Sequence, residues 1–384
     1  MISRFECRNF RGFQEIRLRG LRRVNIVVGG SGSGKTALLE ALRLGLGGTA
    51  QIAYELQVKR GIPQGVPSFL PAAQVFSAAQ VFEEFWGSLF GSFDLSEPIE
   101  FQSELLPIGD EQPRQAQLTI RMGSAWGTAQ LIGAPPQPSW AGSPPPVTGQ
   151  ILPIIFERVN FVPGITEKTE ASLNLQAGFL QLQLQLPHGA GLVPVSEVLN
   201  FDPRSNPAQA VQWFSSLDVL KNAKEVTDFI RKEFPEIGDL SIAVLQGAPC
   251  IVATMQHLPR KIPISLVSSA ASKLVLILSG IRNFQGGVVL IDDIENGLHY
   301  SLLPKLWSAL YQFAKDSDVQ LFLSTHSQEC LRAAAELMQD PDRAAAEDFA
   351  LIQVHQRSGR SLADLTPGPS VAEAIASGLE IRKR

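Results

Sequence analysis

NIVVGGSGSGKTALLEALRLGLGG, residues 25 to 48, holds three kinds of signal in a row. An apolar run ends in glycines, Gly29 to Thr36 fits G-x-x-x-x-G-K-[ST], and Leu38, Leu39, Leu42 and Leu46 then recur at helical spacing. The order reads as buried strand, glycine loop and amphipathic helix, the helix loosening at Gly45 and stopping by Gly47 and Gly48. Glycines let a loop wrap its backbone N–H groups round phosphate oxygens, and the helix N-terminus points positive charge at the same anion. Gly29, Gly30, Ser31, Gly32, Ser33, Gly34, Lys35 and Thr36 therefore form a candidate phosphate cradle. Within it Lys35 reaches the β- and γ-phosphates and Thr36 holds magnesium. A flexible glycine turn that happens to contain Lys-Thr is the plainer alternative; the flanking strand and helix favour the cradle.

A second stretch, VVLIDDIENGLH from Val288 to His299, answers the first. Four apolar residues run into Asp292 and Asp293, with Glu295 just beyond. Adjacent carboxylates at a strand end repel one another unless a cation is near. Downstream of a phosphate cradle, Asp292 reads as the magnesium acid, acting directly or through water.

Outward from these stretches, the start of the chain reads as a hairpin, SRFECRNF and QEIRLR. Its first 23 residues hold seven arginines against two glutamates, most simply the solvated faces of two strands. The net charge of −4 gives no overall basic field for nucleic acid. Cys7, Cys250 and Cys330 are odd in number and far apart, which suits a reducing cytoplasm and offers neither disulfide framework nor zinc spacing. The N-terminus lacks a signal-peptide pattern, and the longest apolar run carries Lys273, so no membrane span is expected.

Residues 49–150 change character: a tandem AAQVFSAAQVF (72–82), an aromatic-rich FEEFWGSLFGSF, an alternating QAQLTIRM, then the Pro/Gly-rich GAPPQPSWAGSPPPVTG. The span reads as an arm inserted into a head made of 1–48 and 151–384. Beyond it, FLQLQLQL alternates as a half-exposed strand, and DVLKNAKEVTDFIRKEFPEI (218–237) reads as one helix stopped by Pro235. DLSIAVLQ and PCIVATMQ read as a hairpin. A helix (SSAASKLVLILSGIRNF), a strand (VVLI), a helix (SLLPKLWSALYQFAKDS) and a strand (VQLFLSTHS) then alternate, and a mostly helical tail follows Ser327. Such alternation predicts a largely parallel α/β sheet.

Together, NFRGFQEIRL before the cradle, VVLIDDIENGLHYSLLPKLW and VQLFLSTHSQEC resemble ATPases of the ABC type, specifically the stand-alone RecF/SMC/OLD-like group. The resemblance covers Met1 to about Gly48 and Ile262 to about Cys330. It implies an α/β P-loop NTPase head of ABC type with a mixed sheet and an inserted arm, with ATP and Mg2+ as cofactors. It also implies a head-to-tail homodimer or higher oligomer, with ATP between the cradle of one copy and the signature of the other. Ser268, followed by Ser269, takes the place of the signature serine that reaches the partner's γ-phosphate. Asn296, Gly297 and Leu298 lie along the D-loop, and His326 contacts the γ-phosphate or the attacking water, whereas His299 reads as structural. A separate effector protein and DNA are the candidate partners, in DNA maintenance or antiphage defence. Heptads for a long rod are missing, and the stretch after Ser327 leaves no room for a Toprim nuclease.

Two departures bear on activity. The group's signature reads Ser-x-Gly, whereas this chain has Ser268, Ser269, Ala270 and Ala271; an alanine there is strained if the backbone needs φ above zero. The residue after the magnesium acid is usually glutamate, whereas Asp293 is one methylene shorter. A displacement of about an ångström can cost on the order of a hundredfold in rate. Slow hydrolysis by Asp293 as base, a compensating backbone shift and a water bridge all remain open. Glu295 is a substitute base by position, though a D-loop acid in a hydrogen-bond network is the plainer reading. Two functions follow: a slow, ATP-gated dimeric clamp, or a scaffold that binds ATP without turning it over. A membrane-transporter subunit would need an intact LSGGQ-like signature.

Overall fold

The computed structural model describes residues 1–61, 85–106, 113–123, 128–129, 149–150, 154–161, 164–176, 179–185, 198–201, 207–220, 222–340, 345–357 and 359–376. The AAQVF tandem, most of the Pro/Gly-rich run and the C-terminal SGLEIRKR lie outside them.

The core sheet has the order β11 (Val198–Phe201), β15 (Val288–Ile291), β16 (Gln320–Ser324), β3 (Val24–Val28), β17 (Phe349–Arg357) and β18 (Arg360–Pro367). Its neighbours are parallel from β11 to β17, and β18 returns antiparallel. β3, β15 and β16 are buried at every residue, which is why they read as unbroken apolar runs. Alternate residues serve two cores. Val27, Leu290 and Phe322 face one layer, whereas Ile26, Val28, Val289, Ile291, Leu321 and Leu323 face the other.

Against the first face lies α1 (Lys35–Gly47), which shares its core with β1 (Ile2–Phe10) and β2 (Phe13–Arg19). These strands end a seven-stranded antiparallel sheet that continues through β4 (Ile99–Leu105), β5 (Arg114–Met122), β8 (Ile154–Val159), β9 (Thr166–Gln176) and β10 (Phe179–Gln185). α1 does not loosen at Gly45. It runs to Gly47, and a Cβ at Gly45 would stand 2.9 Å from both the Phe5 and Phe101 rings. Gly45 is thus the contact that lets helix and sheet approach, and Gly48, at φ 64°, caps the end with its N–H on the Leu44 carbonyl.

Against the second face pack α3 (Pro207–Val219), α4 (Ala223–Glu233), α6 (Ser269–Asn283), α7 (Leu303–Asp316) and α8 (Gln328–Met338). A small sheet of β12 (Ile237–Leu245), β13 (Ala248–Met255) and β14 (Ile262–Pro263) leads through the short α5 (Ile264–Val267) into α6. α2 (Ala50–Lys59), the pair β6 (Thr128–Ala129) and β7 (Gly149–Gln150), and α9 (Gly368–Ala376) complete the described elements. Among the described residues no helix is long and apolar enough to cross a membrane.

Three expectations need correction. First, β4 and β5 fall inside the span read as an arm, yet β4 pairs with β1 from Ile2↔Leu105 to Arg8↔Glu100, so residues 99–122 carry strands of the head's own sheet. Second, 218–237 is not one helix: α3 ends at Val219, the Asn222 N–H turns back to the Leu217 carbonyl at 2.8 Å, and α4 starts at Ala223. Third, the chain after Ser327 is not mostly helical, because β17 pairs with β3 inside the core sheet and Gly359 (φ +76°) turns it back into β18.

The arginines of the first hairpin are held by acids of the same chain. Arg8 and Arg17 both reach Glu15, at 2.9 and 2.6 Å, and Arg23 reaches Asp318 at 3.1 Å. Such pairing matches the reading of solvated strand faces rather than a basic patch.

Candidate nucleotide site

Parallel strands place their C-terminal ends along one edge, the place where open α/β sheets bind ligands. β3, β16 and β15 are consecutive neighbours there, so the loops that follow them converge. The glycine loop leaves β3 with Gly29, Gly32 and Gly34 at φ 155°, 73° and 112°. Gly34 caps α1 without any side-chain bond, and the first turn of α1 carries no acid, so its free N–H groups and dipole are left for an anion. Lys35 folds back over the loop, Nζ donating to the Gly29 and Gly30 carbonyls at 3.0 and 2.9 Å. Burial lowers its pKa, and Asp293, Asp292 and Glu295 oppose that shift. The Ser33 hydroxyl is buried in the loop without a partner, a donor left for a ligand.

The acids arrive from β15. Thr36 Oγ1 donates to Asp292 Oδ2 at 2.8 Å, and the Ser324 hydroxyl, at the end of β16, donates to Asp292 Oδ1. Ser324 Oγ in turn accepts the Asp293 N–H at 2.8 Å, so one hydroxyl orients both aspartates. Asp293 sits at φ 47°, in the left-handed region that aspartate tolerates better than most residues. Its pKa is raised, first by burial and next by Asp292. His326 Nε2 lies 3.6 Å from Asp293 Oδ1. Glu295 turns elsewhere: its Oε1 accepts the His326 backbone N–H at 2.7 Å, while Oε2 is buried without a partner.

Ser268 is the N-cap of α6 and accepts the Ala271 N–H at 3.2 Å. Ser269 and Ala270 already belong to the helix, and neither Ala270 nor Ala271 has positive φ, so the condition for alanine strain is not met. Among the described residues no hydrogen bond links Ser268 or Ser269 with the loop 29–36. His299 is exposed and caps the turn Tyr300–Leu302, accepting the Ser301 N–H.

Sequence reasoning missed Ser324, although a serine ending a buried strand beside two acids was a visible signal. It also missed Lys273, read only as a charge that interrupts an apolar run. Its Nζ donates to the Asp293, Ile294 and Asn296 carbonyls at 3.2, 2.8 and 2.8 Å, tying the first turns of α6 to the acid-bearing loop. Burial lowers its pKa to about 8.

Two family models match the chain in separate pieces. One, described as "AAA domain", covers residues 4–61; the other, described as "AAA domain, putative AbiEii toxin, Type IV TA system", covers residues 226–332. Between them they take in the cradle, the α6 N-terminus, both aspartates and His326. A Helicobacter pylori protein named ATP/GTP phosphatase is 21% identical over 367 residues, spanning 89% of this chain and 90% of the relative. A solved SMC head bound to the C-winged helix domain of ScpA overlaps at a TM-score of 0.46 with 14% identity, covering 96% of this chain and 99% of that one. The SMC head domain of Thermotoga maritima gives 0.40 with 13% identity, covering 95% and 98%. An SMC head derived from Pyrococcus furiosus, bound to the C-terminal domain of ScpA, gives 0.44 with 12% identity, covering 98% of each. Overlaps of this size carry no residue correspondences.

Proposed function

We propose that this chain, a P-loop ATPase of the RecF/SMC-like ABC type, is a slowly hydrolysing, nucleotide-gated clamp that closes as a head-to-tail dimer on Mg-ATP. One observation carries the reading: Thr36, Asp292, Asp293, Lys35 and His326, from three neighbouring strands, converge on one glycine cradle. The residues fit the cofactors. Lys35 and the loop N–H groups take the phosphates, and the Thr36 hydroxyl and Asp292 carboxylate, 2.8 Å apart, are hard oxygen ligands for magnesium. When bound, magnesium neutralises charge on the β- and γ-phosphates.

In this reading Asp293 is the general base. It stands beside the Asp292 carboxylate, and His326 Nε2, 3.6 Å from its Oδ1, would steady the carboxylate or the attacking water. Ser324 holds both acids in register, so the base is aimed before nucleotide arrives. The Ser268 hydroxyl, engaged with its own helix turn, is the group offered to the partner's γ-phosphate. Glu295 serves the loop by holding the His326 backbone.

The dimer, residence in the cytoplasm, and an effector protein as the recipient of the ATP signal belong to the same proposal. A defence role agrees with the toxin–antitoxin description of the matched family model. Residues within 49–150 that lie outside the head's sheet remain the proposed arm. DNA is the less favoured partner, because the N-terminal arginines are paired with acids.

The non-hydrolysing scaffold stays as the second reading, favoured by the short reach of Asp293. Mg-ATP turnover at high protein concentration separates the two. If the wild type hydrolyses ATP and Asp293→Asn reduces turnover by about a hundredfold or more while ATP still binds, Asp293 is the base. If neither protein turns over ATP that both bind, the scaffold stands. Asp293→Glu adds reach but must adopt the same left-handed backbone, so its gain in rate is expected to be modest.

A further inference from the structure

The C-terminal hairpin of β17 and β18 was absent from the sequence reading, and it touches the glycine loop at three points. β17 runs beside β3 as far as Gln353↔Val28, so the residues after it follow the loop as it leaves the sheet. At the loop's first glycine, a Cβ on Gly29 would lie 2.1 Å from the Val354 carbonyl oxygen, so only glycine admits the hairpin backbone. At its crown, Gln356 Nε2 donates to the Gly32 carbonyl at 3.1 Å. At its last glycine, the buried Ser361 places Oγ 3.2 Å from the Cβ positions of both Gly34 and Gly12, and its N–H donates to the Gly12 carbonyl at 3.1 Å.

The crown contact has a directional consequence. In a trans peptide the carbonyl and the next N–H point opposite ways. With the Gly32 carbonyl held by Gln356, the Ser33 N–H points the opposite way and donates to the Gly30 carbonyl at 3.3 Å, a long bond that a phosphate oxygen would take over. That carbonyl also receives Lys35, so the N–H lies on the side of the loop where phosphate would sit.

We propose that the β17–β18 hairpin is the outer brace of the phosphate cradle, and that Gln356 is a positioning residue that fixes the Gly32–Ser33 peptide with its N–H toward the bound phosphate. This rests on the nucleotide reading above. Ordering the loop beforehand removes part of the cost of binding, so the brace acts on affinity more than on the chemical step.

Mg-ATP binding to the full chain, steady-state kinetics and the melting temperature without nucleotide test it together. One hydrogen bond at this position corresponds to about a five- to tenfold change in affinity. Gln356→Ala should raise Kd and KM by that factor, change kcat less than about twofold, and leave the nucleotide-free melting temperature in place. Gln356→Glu, which loses the donor and adds negative charge, should bind more weakly than the alanine variant, whereas Gln356→Arg, which keeps a donor, should recover most of the affinity. The brace is overturned if Gln356→Ala binds ATP like the wild type, or if affinity and nucleotide-free stability fall together and arginine rescues neither. Lys35→Ala separates the two levels: should it also bind ATP unchanged, the cradle reading itself falls.

Discussion

The loop Gly29–Thr36 and the turn Ser268–Ala271 are the two places where this chain would meet a nucleotide, and they are built to different degrees. The loop is finished within one chain: three positive-φ glycines, a lysine laid across two carbonyls, Asp292 bonded to Thr36, and the β17–β18 hairpin bonded to Gly32. The turn is an ordinary helix start, its serine spent on capping α6. A surface that is well ordered yet has no local target needs its target from elsewhere, which is the physical content of the head-to-tail proposal. The only bonds that bring α6 near the acids are those of Lys273 among the described residues, and they run to backbone rather than to the cradle.

The contrast can be broken most directly at the cradle. Lys35→Ala removes the ammonium that lies across the Gly29 and Gly30 carbonyls, and ATP affinity should fall by about a hundredfold or more, measured by equilibrium binding with magnesium. Equal loss from a change at the turn would sink the asymmetry. Ser268→Ala should instead leave single-chain ATP binding unchanged, lower the turnover that rises with protein concentration by about tenfold, and cost about 1 kcal/mol of stability through the lost cap. A denaturant titration beside a concentration series reads both numbers.

A smaller effect sharpens the link between the two regions. Lys273 loses its charge, and one donor, near pH 8. Its hold on the Asp293 loop should weaken above that pH, and turnover should decline about twofold to fivefold by pH 9. Stability moves the other way. The folded state releases this proton before the unfolded one, so from about 8 towards the ordinary value of 10.5 the lysine's contribution to stability rises with pH. A fall in rate without a fall in melting temperature is the signature to look for, and Lys273→Met should abolish the pH step. Least of all, Ala270→Gly brings the turn nearer the related signatures but places glycine in a helix that needs no positive φ, so it should cost up to about 1 kcal/mol and not speed turnover.

How legible these regions were follows from the range of the forces that make them. The cradle depends on neighbours in the chain, so strand, glycines, Lys35 and helix could be read directly. Asp292 was legible because a buried strand ending in acid acquires meaning once a phosphate loop is present. The hairpin was not, because FALIQVHQ is short and its partner β3 lies more than three hundred residues earlier; nothing local distinguishes a strand that pairs at such a distance. The boundary of the supposed arm was misplaced for the same reason. Pro- and Gly-rich composition suggested an insertion, whereas pairing of Leu105 with Ile2 decides which strands belong to the head. Lys273 was overlooked because a single lysine in an apolar helix reads as a side chain reaching for water.

The position of β3 between β16 and β17 also bears on how the protein comes to exist. The strand that launches the phosphate loop is made long before both of its hydrogen-bonded flanks, Leu321–Ser324 and Phe349–Gln353. Until those flanks are made, the emerging chain carries a glycine loop whose strand lacks both neighbours, and the long loop closures involved are slow. Competence to bind nucleotide is expected only once β16 and β17 have both been made, so a chain that stops before Gln320 should bind ATP far more weakly than the full chain.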